Sequence, residues 1–92
     1  MEQLLWDKKE HHFGEVKYNT THDVIFNYLG NENLSVDNFI VNCSCTRKMY
    51  NRDKKELKLF LDMNQYGEKL SVVSINYPKG NSDFILLKAT VK

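Results

Sequence analysis

The feature that most constrains the fold of this chain is an alternation of apolar and polar side chains with a period of two. It is clearest from Leu57 to Met63, where every second residue is aliphatic or methionine. Successive side chains of a strand point to opposite faces, so this pattern lines one face of a strand with apolar groups. The alternation predicts that this face belongs to the core.

The same period recurs through most of the chain after residue 15, and no segment has the period of a helix. Turn residues separate the apolar segments, as at Tyr77-Pro78-Lys79-Gly80-Asn81. Strands are expected at 21–28, 57–63, 70–77 and 84–91. Residues 34–36 and 39–45 are expected to form a strand pair or one bent strand, and residues 47–55 a polar loop.

About seven short strands with turn signals roughly every 8–12 residues are typical of a β-sandwich. The sequence therefore predicts an all-β fold, an immunoglobulin-like β-sandwich of about seven antiparallel strands. We expect one domain over residues 11–92, preceded by an N-terminal arm over residues 1–10 that becomes ordered only on contact.

Charge and hydropathy limit the class of partner. The chain has 13 Lys and Arg against 12 Asp and Glu, with the two signs interspersed, whereas a nucleic-acid-binding surface is usually strongly basic. No apolar stretch reaches 18 residues, and the N-terminus lacks the basic and apolar regions of an export signal. We expect no nucleic-acid or membrane partner and a chain that is not exported.

Several short motifs follow one another along these predicted strands. They are Phe13-Gly14-Glu15-Val16, Phe26-Asn27-Tyr28-Leu29-Gly30, Leu34, Cys43-Ser44-Cys45-Thr46 and Gly67–Asn76. In this order, over about residues 11–92, the chain resembles the bacterial family called domain of unknown function 1573, an immunoglobulin-like relative of the ASH domains. Two departures are Ser44, where the hallmark motif has Gly, and Asn51-Arg52-Asp53-Lys54, where the family usually has a Pro-Gly turn.

The resemblance implies an immunoglobulin-like fold and, because ASH-like domains are mainly docking modules, a docking function. The family has no established chemistry, so the resemblance implies no activity. Its members are commonly exported or lipid-anchored, and this location is not expected for a chain without a leader.

Cys43 and Cys45 lie two residues apart on a predicted strand, which places their Cα atoms near 6.5–7 Å, at the limit for a disulfide. We expect buried, reduced thiols that pack as small apolar groups. A metal site would need further ligands, for which His11, His12 and His22 are the candidates, and redox chemistry is a third alternative. The prediction is no cofactor and no metal.

No catalytic site is predicted. A cysteine nucleophile needs a neighbouring base and an oxyanion hole, usually at a helix N-terminus or a strained turn. The four glycines are isolated and fall where turns are expected, so they form no phosphate-binding loop. We therefore expect that the chain is not an enzyme.

Aromatic and arginine side chains at predicted turns suit a contact surface, since they bury a large area at a small entropy cost. Trp6 has two alternatives, a partner-binding residue or a residue that closes one end of the sandwich. The candidate interface comprises Trp6, His11, His12, Tyr18, Arg47, Tyr50, Arg52 and Tyr66.

The preferred hypothesis is a non-enzymatic structural or interaction module, an auxiliary (decoration) protein of a bacteriophage capsid that binds other virion proteins. A single immunoglobulin-like domain that forms a whole chain suits a compact viral genome, and 11 Lys against 2 Arg with ten Asn suggests an AT-rich one. The expected location is the virion, with the oligomeric state set by the assembly. Alternatives are a cytosolic adaptor that binds a host protein by strand addition, and a Cys/His metal or redox protein.

Overall fold

Seven strands make up the fold. A computed structural model describes residues 5–92. In chain order the strands are β1 (Glu10–Val16), β2 (Thr21–Asn27), β3 (Phe39–Val41), β4 (Thr46–Asn51), β5 (Glu56–Asp62), β6 (Gly67–Asn76) and β7 (Ser82–Val91). One turn of 3-10 helix, Val36–Asn38, precedes β3. Residues 5–92 contain no helix with the length and hydropathy needed to cross a membrane.

The strands form two sheets, with the orders β1-β7-β6-β3 and β2-β5-β4. In an immunoglobulin sandwich the second, fifth and fourth strands share one sheet, and the third, sixth and seventh share the other. The strand order here has this division, with β1 added to the second group, so the predicted β-sandwich is confirmed. One pairing differs from the prediction: β1 runs parallel to β7, while the other pairs are antiparallel.

The segment before β1 is part of the domain. Trp6 forms an antiparallel bridge with Tyr28, and the Asp7 amide donates a 3.0 Å hydrogen bond to the Asn27 carbonyl. The chain then crosses to the other sheet as β1, so this segment ties the two sheets together. The predicted arm is therefore wrong for residues 5–10, and its first four residues lie outside the described range.

The core lies between the sheets and contains the faces that the alternation predicted. The four alternate apolar side chains from Leu57 to Met63, on β5 and just after it, are all fully buried. The predicted inner faces of β2 and β6 are confirmed as well. They consist of Val24, Phe26 and Tyr28, and of Val73, Ile75 and Tyr77.

The loop predicted at 47–55 is wrong, because β4 occupies most of it. The inner face of this edge strand carries Lys48 and Tyr50 in place of an aliphatic row, which hides the strand period. Lys48 Nζ donates to the Phe39 carbonyl across the gap between the sheets, so its stem covers the core while its charge is satisfied. Conversely, the strand predicted at 39–45 ends at Val41.

Candidate functional site

Trp6 belongs to the core. Its side chain is 1% exposed, and its indole Nε1 donates a 2.9 Å hydrogen bond to the Tyr77 hydroxyl. Its ring centroid lies 5.1 Å from that of Tyr28 and 5.9 Å from that of Phe39. Of the two alternatives for Trp6, the structure supports closure of the sandwich, so its assignment to an exposed interface is wrong.

Tyr18 and Tyr66 come together, although they are far apart in the sequence. Their rings stack with centroids 4.3 Å apart and planes inclined by 12°, at exposures of 43% and 70%. Tyr18 lies in the β1–β2 turn and Tyr66 in the β5–β6 loop, as their predicted turn positions require. The pair forms an exposed aromatic ledge at one end of the sandwich.

The remaining members of the predicted tyrosine and arginine patch are spread along the three-stranded sheet. Arg47 pairs with Asp62 at 3.2 Å, at the end of β5 near Tyr66. Arg52 donates to the Asn33 side chain at 2.6 Å, and it lies beyond the opposite end of β5. A strand of seven residues spans roughly 20 Å, so the two arginines do not belong to one compact patch.

Tyr50 is partly buried and lies on β4, not in a turn. Its ring packs on Phe39 with centroids 5.1 Å apart. Burial raises the pKa of its hydroxyl. Tyr50 therefore supports the core more than it serves the surface, and its assignment to a predicted turn is wrong.

The histidines do not join the cysteines. His11 packs edge-on against Phe13 with centroids 4.6 Å apart, and burial, with smaller effects of Lys8 and His12, lowers its pKa. His12 is exposed, with Nε2 3.5 Å from the Glu10 carboxylate. Within residues 5–92 no group of three His, Cys, Asp or Glu side chains is positioned to hold a metal ion.

Cys43 and Cys45 form a disulfide, so the prediction of reduced thiols is wrong. The error came from the assumed extended backbone. After β3 ends, the chain enters a turn that brings the two Cα atoms to 5.0 Å, which is within the range for a bridge. Cys45 is 2% exposed and belongs to the core, while Cys43 is partly buried at its margin.

One amide and two buried hydroxyl groups lie close to this disulfide. The Cys45 amide donates to Cys43 Sγ at 3.1 Å. Thr46 Oγ1 lies 3.6 Å from Cys45 Sγ and 2.5 Å from Ser71 Oγ. Within residues 5–92, Thr46 and Ser71 are the only buried side chains that are neither apolar nor aromatic, so both buried hydroxyls belong to one short chain that leads to the sulfur.

The four-stranded sheet has an apolar outer surface that the sequence analysis missed. Leu70 and Phe84 expose 60% and 53% of their area, and Ser74 of β6 lies between Phe84 of β7 and Ile40 of β3. We call this surface the apolar face. Its members are Ile40, Leu70, Val72, Phe84 and Leu86.

A signal for the apolar face was present in the sequence. Phe84 to Leu87 is a run of four consecutive apolar residues, and such a run is typical of a strand covered on both sides. Among residues 5–92, only the inner side of β7 is covered by other parts of the domain. The outer side is exposed at Phe84 and only partly buried at Leu86.

The outer surface of the three-stranded sheet is more polar. An open depression of about 630 Å³ lies between Ile25, Met49 and the β4–β5 turn. Charged side chains surround it, and Lys58 on its floor is 3.4 Å from Asp23. Its apolar part consists of Ile25, Met49 and the ring of Tyr50.

No known family profile, curated protein or solved structure matches the chain. The geometry of the described residues therefore carries the functional argument that follows.

Proposed function

We propose that this chain is a non-enzymatic protein-docking module that binds its partner through the apolar face. The observation that carries the proposal is the exposure of Leu70, Phe84 and Ile40 on one regular sheet surface. Contiguous exposed apolar patches on small soluble domains usually mark interaction sites, because their burial against a partner is favourable. The strands beneath fix the backbone of the binding residues, so no loop has to become ordered when the partner binds.

The dimensions of the surface suit a folded partner. β6 and β7 each contain ten residues, which corresponds to a length of about 33 Å. β3 lies beside one end of this pair and β1 beside the other, so the sheet is three strands wide at each end, about 14 Å. A surface of this size is smaller than the roughly 800 Å² per partner of standard interfaces and suits a contact at the low end of the range.

The charges at the margin of the apolar face favour an uncharged partner surface. Lys88 pairs with Glu10 at 3.0 Å and Lys9 with Asp83 at 2.7 Å. These cations are already neutralised within the chain, so little net charge remains to attract a polyanion. We infer that the occupant is a flat, largely apolar surface of another protein.

The specific partner that we propose is a bacteriophage capsid protein, with this chain as an auxiliary (decoration) protein of the virion and its copy number set by the assembly. The Cys43–Cys45 disulfide supports an oxidising location such as a particle surface over the cytosol. The resemblance to the domain of unknown function 1573 family also supports a docking role, because the related ASH domains are mainly docking modules.

A cytosolic adaptor that binds by strand addition is the second candidate, since β4 is an edge strand. The side chains of β4 weigh against it. Arg47 and Lys48 stand on this short strand, and charged residues on an edge discourage pairing with another strand. The apolar face is therefore a better candidate for docking than the β4 edge.

Density-gradient fractionation of lysates that contain assembled particles tests the proposal. The wild-type chain should sediment with particles, and Leu70→Lys should move it to the soluble fractions. Met49→Lys on the other sheet is the matched control, because Met49 is 59% exposed against 60% for Leu70, and it should stay with the particles.

Two results would reject parts of this proposal separately. Wild-type chain found only in soluble fractions, cross-linked to a single host protein, would replace the virion assignment by the adaptor. Release from particles by Met49→Lys but not by Leu70→Lys would move the docking surface to the three-stranded sheet.

A further inference from the structure

The disulfide between Cys43 and Cys45 has features that a purely structural bridge does not need. It closes a loop with a sequence separation of only 2, so it joins no distant elements of the fold. Beyond the docking role, we propose that this pair is a thiol–disulfide exchange site that reacts stoichiometrically with thiols, and that Thr46 and Ser71 stabilise the thiolate that forms on Cys45.

The direction of the hydrogen bonds follows from the bond itself. In the disulfide, Cys45 Sγ carries no hydrogen, so the Thr46 hydroxyl must be the donor of their 3.6 Å contact. The single hydrogen of Thr46 is then used, and the 2.5 Å bond between the hydroxyls is donated by Ser71. The buried hydroxyls thus form a relay in which each hydrogen points toward the sulfur.

This relay supplies what a buried thiolate lacks. Cys45 is 2% exposed, and a charge in such a position loses its hydration. Hydrogen bonds donated to the charged form favour it, and bonds to charged groups are stronger than neutral ones. Cys45 is therefore a supported leaving group, and the Cys45 amide supports Cys43 Sγ in the same way.

Access decides which sulfur reacts first. Cys43 is partly exposed and follows the end of β3, and its neighbour Ser44 is exposed. A substrate thiolate attacks Cys43 Sγ and forms a mixed disulfide, while the Cys43–Cys45 bond breaks and its electron pair leaves on Cys45 Sγ. A second thiolate attacks the substrate sulfur, which releases Cys43 as a thiolate. Two thiols thus give up two electrons and become one disulfide, and the cysteine pair becomes a dithiol.

The test uses the full chain in glutathione redox buffers, with alkylation and mass spectrometry to count reduced cysteines. The folded pair should be reduced faster than the same pair in the chain unfolded in urea. Thr46→Val should slow reduction and shift the equilibrium toward the disulfide by roughly tenfold, which corresponds to about 30 mV for a two-electron couple. Ser71→Ala should act in the same direction, to a smaller extent.

Ser74→Ala is the matched control for Ser71→Ala, because it removes a hydroxyl from the outer face of β6. It should change neither the rate nor the equilibrium of disulfide reduction. In a Cys45→Ala variant, the Cys43 thiolate should attack oxidised glutathione, form a mixed disulfide with one half and release the other half as a thiolate. Thermal unfolding of each variant separates loss of fold from loss of exchange.

Three results would overturn the proposal. The first is a wild-type rate and equilibrium of reduction in both Thr46→Val and Ser71→Ala. The second is a disulfide that is reduced no faster in the folded chain than in urea, and the third is unfolding of the domain when the disulfide is reduced.

Discussion

The indole nitrogen of Trp6 and the hydroxyl of Tyr77 share a buried hydrogen bond of 2.9 Å across 71 residues of sequence. The Tyr28 ring lies beside both side chains. The bond joins the segment before β1 to the end of β6, and it satisfies the only polar hydrogen of the indole in a position that water does not reach.

Replacement of Tyr77 by Phe should therefore destabilise the domain. The Trp6 N–H would lose its acceptor in the core, and an unsatisfied buried donor costs about 1–3 kcal/mol. Urea unfolding followed by Trp6 fluorescence measures the change. Tyr66→Phe, at an exposed position, is the control and should change the free energy of unfolding by less than about 0.5 kcal/mol.

Alkaline pH should weaken the fold through the same tyrosine. Burial raises the pKa of Tyr77 from 10.0 to about 12, so the unfolded chain loses this proton at a lower pH than the folded chain. The contribution is fully present below pH 10 and is lost as the pH rises to about 12. Melting temperatures across this window should fall less steeply for Tyr77→Phe than for the wild type, and an equal slope for both would contradict this assignment.

Gly30 should not tolerate a side chain. A Cβ at this position would lie well inside van der Waals distance of the Tyr28 ring and hydroxyl, and Tyr28 is buried against Trp6. Gly30→Ala should cost about 1–3 kcal/mol, as overpacked core positions do. The neighbouring exposed Asn31→Ala is the control in the same denaturation experiment, and comparable losses in the two variants would argue against a steric cause.

The stacked pair Tyr18 and Tyr66 should contribute a measurable coupling. Aromatic pairs in such contact are worth about 0.5–1.5 kcal/mol beyond the area that they bury. A double-mutant cycle with Tyr18→Ala and Tyr66→Ala should return a coupling energy in this range. Strictly additive single variants would mean that the two rings stabilise the turns independently.

The parts of the fold that could be predicted from sequence are those in which one face is buried and the other solvated. The row from Leu57 to Met63 and the inner face of β2 have this character, and their side chains are where the alternation placed them. β4 was missed because Lys48 and Tyr50 occupy its inner positions. Both side chains bury an apolar part and keep a polar end, so the sequence of this strand shows no alternation of apolar residues.

The candidate sites were harder to predict because they depend on which turns and strands meet. Tyr18 and Tyr66 were correctly placed in turns, but their stacking follows from the sandwich topology. The disulfide was missed because a local turn at Cys43 shortens the Cα separation below that of a strand. The apolar face required knowledge of which side of β7 the domain leaves uncovered.

The parallel pairing of β1 with β7 has a consequence for how the polypeptide acquires its shape. Glu10 takes its place opposite Leu86, so the first strand has no neighbour in its sheet until the last one has been synthesised. Pairings this remote in sequence give a high contact order, and chains of this kind fold over milliseconds to seconds. Completion of the four-stranded sheet must therefore wait until β7 has been synthesised, whereas the three-stranded sheet needs only β2, β4 and β5.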